Sequence, residues 1–267
     1  IGQFSNLAIA LDPLPIVARI ATGTALLRDT VSFAQREVSI AGFLAKLSAP
    51  VVPPCAGPLA GQHVVNGWTV SLWRRVEILP GWPDAAESGR RLNACHAVLR
   101  GSANAEAIPY FGVFDELRQL LAHPQVHAMC PEPDRCMMEQ QAQDCRLALA
   151  AYQSTAQPLH GDSHRKNVFH TPDGPLWADW EDTIHAPIEW DLACLVAGAR
   201  IAGTAQEADW AEAALAAYGP YNAAALELCI QTRALFGAAW LSLLASDAQA
   251  EQRRERLSVY LNWLRLR

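Results

Sequence analysis

The chain has 267 residues, 51% of them hydrophobic and 18% charged, and a formal net charge of −6. That length can bury a sizeable core in one large domain or two lobes, and the acidic balance argues against a nucleic-acid binder working through a basic surface. No uninterrupted apolar run is long enough to span a bilayer, and seven cysteines without a C-x-x-C pair argue against a disulfide framework and for free thiols in a reducing cytoplasm.

Charge is unevenly spread. Residues 1–81 carry six Lys/Arg against four acids, a net of +2, which leaves −8 for the remainder. A mildly basic first part suits a nucleotide, and an acidic second part suits a cationic small molecule. An ordinary solvated surface gives the same balance.

From the start of the chain, Gly2-Gln3-Phe4-Ser5-Asn6 reads as a loop ahead of an apolar run at residues 7–11. An Asp12-Pro13 turn and a second run at 15–21 complete an expected strand pair. The chain begins without Met and close to this loop, so a preceding strand is expected to be missing. Arg19 falls in the middle of the second run, where a charge is costly without a partner. Residues 36–45 predict a helix with Val38, Ala41, Leu44 and Ala45 on one face. Pro50-Val-Val-Pro-Pro54 predicts a rigid extended connection. Residues 62–66 and 68–77 predict a hairpin closed by Asn66-Gly67. Leu79-Pro-Gly-Trp-Pro83 then marks a boundary, giving expected units of 1–78 and 79–267.

From residue 84 the pattern is helical. Asp84 is placed to cap a helix running to about Leu99, and amphipathic stretches follow at 111–122 and 137–153. Helices are expected again near 192–202, 205–218, 223–244 and 249–266. Between the two groups lies Leu159-His160-Gly161-Asp162-Ser163-His164-Arg165-Lys166-Asn167, followed twelve residues after Asn167 by Asp179. Runs at 168–170 and 175–178 read as the arms of a small hairpin around Thr171-Pro-Asp-Gly174. This layout can bring Asp162, the Asn167 amide oxygen and Asp179 to one point. Phosphoryl transfer needs such a trio: one carboxylate to orient a hydroxyl, and an amide oxygen with a second carboxylate to hold magnesium.

The two motifs together resemble the aminoglycoside phosphotransferase and choline kinase group of the protein-kinase-like superfamily. That group's His-Gly-Asp-x-His-x-x-Asn loop and Asp-Trp-Glu-like segment are matched at His160, Gly161, Asp162, His164, Asn167, Asp179, Trp180 and Glu181. The resemblance implies an α+β, bilobal protein-kinase-like fold, with a small N-terminal antiparallel sheet lobe carrying one helix and a larger, mostly helical C-terminal lobe. It implies Mg2+, ATP or GTP as phosphoryl donor, and a small-molecule hydroxyl as acceptor. Asp162 would orient that hydroxyl or take its proton, and Asn167 and Asp179 would hold the metal. Ser5 and Asn6 would lie over the phosphates. Arg19, where Lys is commoner, would grip the α- and β-phosphates and pair with Glu37. The backbone near Arg75, Val76 and Glu77 would meet the nucleotide base. His160 is expected to organise the loop, His164 to brace it or approach the metal, and Asp191 in Glu189-Trp-Asp-Leu-Ala193 to brace its backbone. His96 is expected to be structural.

Trp180, Glu181 and Asp182 sit where an acceptor would lie. The stretch from Asp179 to Asp191 is short and lacks the Ala-Pro-Glu end of a protein kinase's peptide-recognising segment, which favours a small-molecule acceptor over a protein. An acid with an aromatic face suits an aminoglycoside or amino alcohol, and Trp210, Tyr221, Trp240 and Trp263 are either that face or plain core. Two other readings stay open: a non-catalytic nucleotide-binding module of the same fold, and a metallohydrolase built on His160, Asp162, His164 and His170. Neither nucleic acid nor membrane is an expected partner, the expected location is cytoplasmic, and oligomeric state is open.

Overall fold

Alternating side chains and a two-residue turn build the N-terminal sheet. The computed structural model describes residues 6–22, 29–101, 108, 110–244 and 250–267. Strands β1 (Asn6–Ala10), β2 (Ile16–Ala21), β3 (Gln62–Val65) and β4 (Trp68–Arg74) form an antiparallel sheet in the order β1-β2-β4-β3. Asn66 and Gly67 both take positive φ and close the β3–β4 hairpin, as a type I′ turn requires. Thr69, Ser71 and Trp73 of β4 are buried in alternation. Arg19 sits directly across from Ser71 and therefore shares its face.

That face is covered by helix α1 (Thr30–Lys46). The helix starts six residues before the expected position, because the Asp29 carboxylate caps it by accepting from the Val31 N–H at 3.1 Å. Its buried side is Ala34, Glu37, Ile40, Ala41 and Leu44, while Val38 and Ala45 lie at the margin. The Pro50–Pro54 connection is extended as expected and ties the sheet to later structure. The Cys55 N–H donates to the Leu72 carbonyl (2.8 Å), the Val52 N–H to Trp177 (2.9 Å) and the Trp177 N–H to Pro50 (2.9 Å).

The rest is mainly helical: α2 (Ala85–Arg100), α3 (Val113–Leu121), α4 (Pro124–Met129), α5 (Glu132–Leu149), α6 (Glu189–Ala202), α7 (Ala205–Tyr218), α8 (Ala223–Leu244) and α9 (Ala250–Arg265). Asp84 caps α2 through the Glu87 N–H at 2.7 Å. Two expectations need correction here. Helix α4 was not foreseen, and α5 begins at Glu132 and ends at Leu149, with a 3₁₀ turn over 150–155 replacing its expected last residues. Helices α6 and α8 bury residues on nearly every side, as helices that are apolar all round must. They are the centre of the C-terminal core, which continues through α2, α7 and α9. Among the described residues no helix is long and apolar enough to cross a membrane. All seven cysteines are free thiols. The architecture is thus the bilobal α+β arrangement expected, a small sheet with one helix ahead of a larger helical part.

Candidate active site

Between the two helical groups, the chain makes two minimal strand pairs. Strand β5 (Gln157–Leu159) pairs with β8 (Ile184–Ala186), and β6 (Val168–Phe169) pairs with β7 (Leu176–Trp177). The β6–β7 hairpin is the one expected around 171–174; the β5–β8 pair was not. Together they bring the 160–167 loop and the 178–183 segment side by side. The Ala178 N–H donates to the Asn167 carbonyl at 2.8 Å.

A buried carboxylate holds the loop. Asp191, at the start of α6, has no exposed surface. Its Oδ1 accepts from the Gly161 N–H (2.8 Å), and its Oδ2 from the His160 N–H (2.8 Å) and His96 Nε2 (2.7 Å). His96 Nδ1 meets the Tyr218 hydroxyl at 2.8 Å, and the Ser163 hydroxyl donates to the Asp191 carbonyl at 2.7 Å. His160 donates from Nε2 to the Ala178 carbonyl (2.9 Å), while its Nδ1 accepts from the Asp162 N–H (3.3 Å). All of its polar reach is spent on the two backbones it joins. Gly161 takes φ +89°, and a Cβ there would lie 1.8 Å from the Asp182 carbonyl oxygen. Only glycine lets the loop pass so close.

Asp162 therefore stands at a fixed position, and its side chain meets three groups. Oδ1 pairs with Arg233 of α8; Oδ2 lies 3.3 Å from His164 Nε2 and 3.4 Å from Asn167 Nδ2. Asn167 Nδ2 also donates to the Asp162 carbonyl at 2.8 Å. Burial alone would raise the Asp162 carboxyl, but the Arg233 guanidinium, with His164 behind it, holds it well below the usual carboxylate range. Arg233 is the partner that sequence reasoning missed. Its one signal was the same as that of Arg19, a lone cation inside an apolar run.

The second cluster joins the sheet to the helical part. Arg19 pairs with Glu37, as expected, and also with Asp179; its Nη2 lies 3.3 Å from Glu181 Oε2. Asn6 Nδ2 donates to both Glu181 oxygens, at 3.3 and 3.4 Å. Three carboxylates thus surround one guanidinium. Burial pushes the Glu37 and Glu181 carboxyls up from the usual range, with Arg19 opposing it. Asp179 takes φ 67° and ψ 58°, left-handed for a residue other than glycine, a strain that persists where surrounding contacts enforce it. The following 3₁₀ turn, Trp180–Asp182, sends neighbouring side chains to different sides.

That turn corrects one expectation. Trp180 is fully buried, with its ring 4.4 Å from that of His160, so it offers no face to a ligand. Glu181 reaches the Arg19 cluster and, with Asp182, lines a cleft of about 1060 Å³. The cleft is also bordered by Asp162, His164, Asp179 and Arg233. Its walls include Asp115 and Glu116 of α3, Trp210 of α7, Trp240 of α8, and Arg253, Arg256 and Tyr260 of α9. Tyr221 and Trp263 are not among its lining residues. Of the expected base-binding residues, Arg75 pairs with Asp12 at 2.7 Å, Val76 packs against the core and Glu77 is exposed. Ser5 lies outside the described residues. Among those described, no group of three or more His, Cys, Asp or Glu could hold a metal ion. Of the four side chains of the metallohydrolase reading, Asp162 and His164 meet each other, while His160 is spent on Ala178 and His170 Nδ1 on the Pro80 carbonyl (3.0 Å).

The model of the phosphotransferase enzyme family matches residues 11–229. Comparison with curated proteins gives no match. Several solved structures share the fold. An amicoumacin kinase in complex with AMP-PNP, Ca2+ and Ami has a TM-score of 0.68 at 10% identity, covering 97% of this chain and 87% of that one. A choline/ethanolamine kinase family protein from Mesorhizobium loti has a TM-score of 0.64 at 18% identity, covering 100% and 92%. Choline kinase LicA from Streptococcus pneumoniae has a TM-score of 0.64 at 17% identity, covering 98% and 91%. At these identities the likeness speaks for the protein-kinase-like fold.

Proposed function

The chain belongs to the phosphotransferase enzyme family, and on that premise we propose that it moves the γ-phosphate of ATP or GTP to a hydroxyl of a small molecule. The observation that carries the reading is that Asp162, hydrogen-bonded to Asn167, and Asp179, held from the sheet by Arg19, border the same cleft. In this reading residues 1–78 are the nucleotide lobe and 79–267 the lobe that carries the loop and the acceptor.

The donor set suits Mg2+. The Asn167 NH2 is committed to Asp162, so its amide oxygen is the atom that would bind a cation, and Asp179 would supply a carboxylate. Both are hard oxygen donors. Bound there, Mg2+ would neutralise charge on the phosphate oxygens in a loose transition state. Arg19 would trade its contact with Asp179 for the phosphates, while Glu37 keeps hold of the guanidinium. Asp162, whose carboxyl Arg233 and His164 hold below its usual range, would orient the hydroxyl in line with the phosphorus or take its proton.

The acceptor faces carboxylates at Asp115, Glu116 and Asp182, which suit the ammonium group of an aminoglycoside or amino alcohol, and arginines at Arg253 and Arg256. The deciding experiment is a nucleotide-consumption screen with ATP or GTP and Mg2+ over aminoglycosides, amino alcohols, sugars and macrolides. Turnover with one acceptor class supports the reading. Nucleotide-induced stabilisation in a melt without turnover on any acceptor would replace it with a non-catalytic module.

A further inference from the structure

We infer that Arg233 is a positioning residue that acts through Asp162, turning one chosen carboxylate oxygen toward the acceptor hydroxyl; this rests on the phosphotransferase reading. Helix α8 is 22 residues long, and Glu227 and Arg233 are the charged residues on it. Glu227 is near the surface with Arg200 and Arg267. Arg233 is in the middle of the helix, where every adjacent turn is committed to the core. A guanidinium there is retained only with a partner, and its partner is Asp162 Oδ1.

The geometry divides the work between the two oxygens. Oδ1 receives the close, charge-assisted contact from Arg233. Oδ2 has only the longer approaches of His164 Nε2 at 3.3 Å and Asn167 Nδ2 at 3.4 Å. An incoming hydroxyl is therefore met by Oδ2, the oxygen on the Asn167 side. Arg233 also lines the cleft, and its guanidinium lies 5.7 Å from the centroid of the Phe236 ring one turn further along α8. The rotation of the carboxylate is thus set from the acceptor's own wall, while Asp191 sets the backbone beneath it. Removing Arg233 takes away the charged contact at Oδ1 and leaves the carboxylate held only by the two longer approaches to Oδ2. That is a loss of orientation, and misplacement by about 1 Å costs on the order of 100-fold in rate.

The test uses the full chain with the donor and acceptor that the wild type consumes in the screen above, comparing Arg233→Met, Arg233→Lys and Arg233→Gln. Arg233→Met should lower kcat by about 100-fold, with KM for nucleotide and acceptor each within about threefold. Arg233→Lys, which keeps a cation within reach of Oδ1, should recover at least about tenfold of that loss. A helix-to-loop staple would instead lower activity in step with melting temperature, and a bulky uncharged replacement would serve as well as Lys. Arg233→Gln covers the case in which Met does not fold. Unchanged kcat in Arg233→Met, a change confined to KM, or no advantage of Lys over Met and Gln each overturn the inference alone. A wild-type chain that turns over no acceptor overturns the reading beneath it, and the role of Arg233 with it.

Discussion

Asp191 should be worth more to this protein than any residue that touches the cleft. Replacing it with Ala removes one carboxylate and three hydrogen bonds, from the His160 N–H, the Gly161 N–H and His96 Nε2. Each bond to an ionised group contributes about 1.5–3 kcal/mol. The site has no exposed surface, so water does not replace the lost acceptor. Breaking a buried charged partner costs about 3–5 kcal/mol in comparable cases. Against a total stability of about 5–15 kcal/mol, that is a large fraction. At about 2–4 °C per kcal/mol for chains near this size, Asp191→Ala should melt roughly 6–20 °C below wild type. Asp191→Asn keeps the volume and one oxygen but points an amide NH2 at a backbone donor, so it should fall between the two. Thermal melts with and without Mg-nucleotide measure the loss, and nucleotide consumption should fall too, because the backbone beneath Asp162 is released. An Asp191→Ala protein melting within about 2 °C of wild type would refute the reasoning, since a brace that bears no free energy braces nothing.

Three further outcomes follow from the site. Asp162→Asn should abolish phosphoryl transfer while leaving the melt shift produced by Mg-nucleotide nearly intact; sustained turnover would remove Asp162 from its assigned role. Asp179→Asn should lose most of the Mg2+-dependent part of nucleotide stabilisation, and a chelator should do the same to wild type; a nucleotide shift insensitive to both would place the cation elsewhere. Gly161→Ala must move either the loop or the Asp182 carbonyl, because the added Cβ would lie 1.8 Å from that oxygen. It should cost about 2–4 kcal/mol, from strain at positive φ plus the clash, read as a lower denaturant midpoint. A midpoint equal to wild type would show the approach to be slack.

How much of this was legible in the sequence depends on how local the cause is. The Asn66-Gly67 hairpin and the Asp84 cap are set by residues two or three apart, and both were readable. The Arg19–Glu37 pair was expected through the family resemblance and formed. The start of α1 was missed because its hydrophobic face takes shape only from Ala34 onward, so the capping Asp29 had no periodic run behind it. Strands β5 and β8 are three residues each, too short for an alternation to show. Trp180 was placed with the acceptor on the strength of its neighbours. Adjacency in the chain is not adjacency on a face, and the left-handed Asp179 with the turn after it sends Trp180 into the core while Asp179, Glu181 and Asp182 border the cleft. Arg233 lies 71 residues from Asp162. No local pattern encodes that distance, although an unexplained cation in the most apolar helix was itself a signal.

The two part-buried arginines give the site its logic. Each carboxylate of the proposed site already carries a guanidinium, Asp179 one from the sheet and Asp162 one from α8. Their surroundings differ in a way that assigns their fates. Arg19 faces three carboxylates, so giving up Asp179 still leaves it Glu37 and Glu181, and it is free to be shared with an anionic ligand. Arg233 has Asp162 as its ion-pair partner, while Asp162 keeps His164 and Asn167 beside its other oxygen. On the proposed function, the contact at Arg19 is the one a nucleotide would exchange, and the contact at Arg233 is the one that would persist. A nucleotide arriving from the sheet side would rearrange the first and find the second already set. On that ordering, the donor reorganises the site and the acceptor does not.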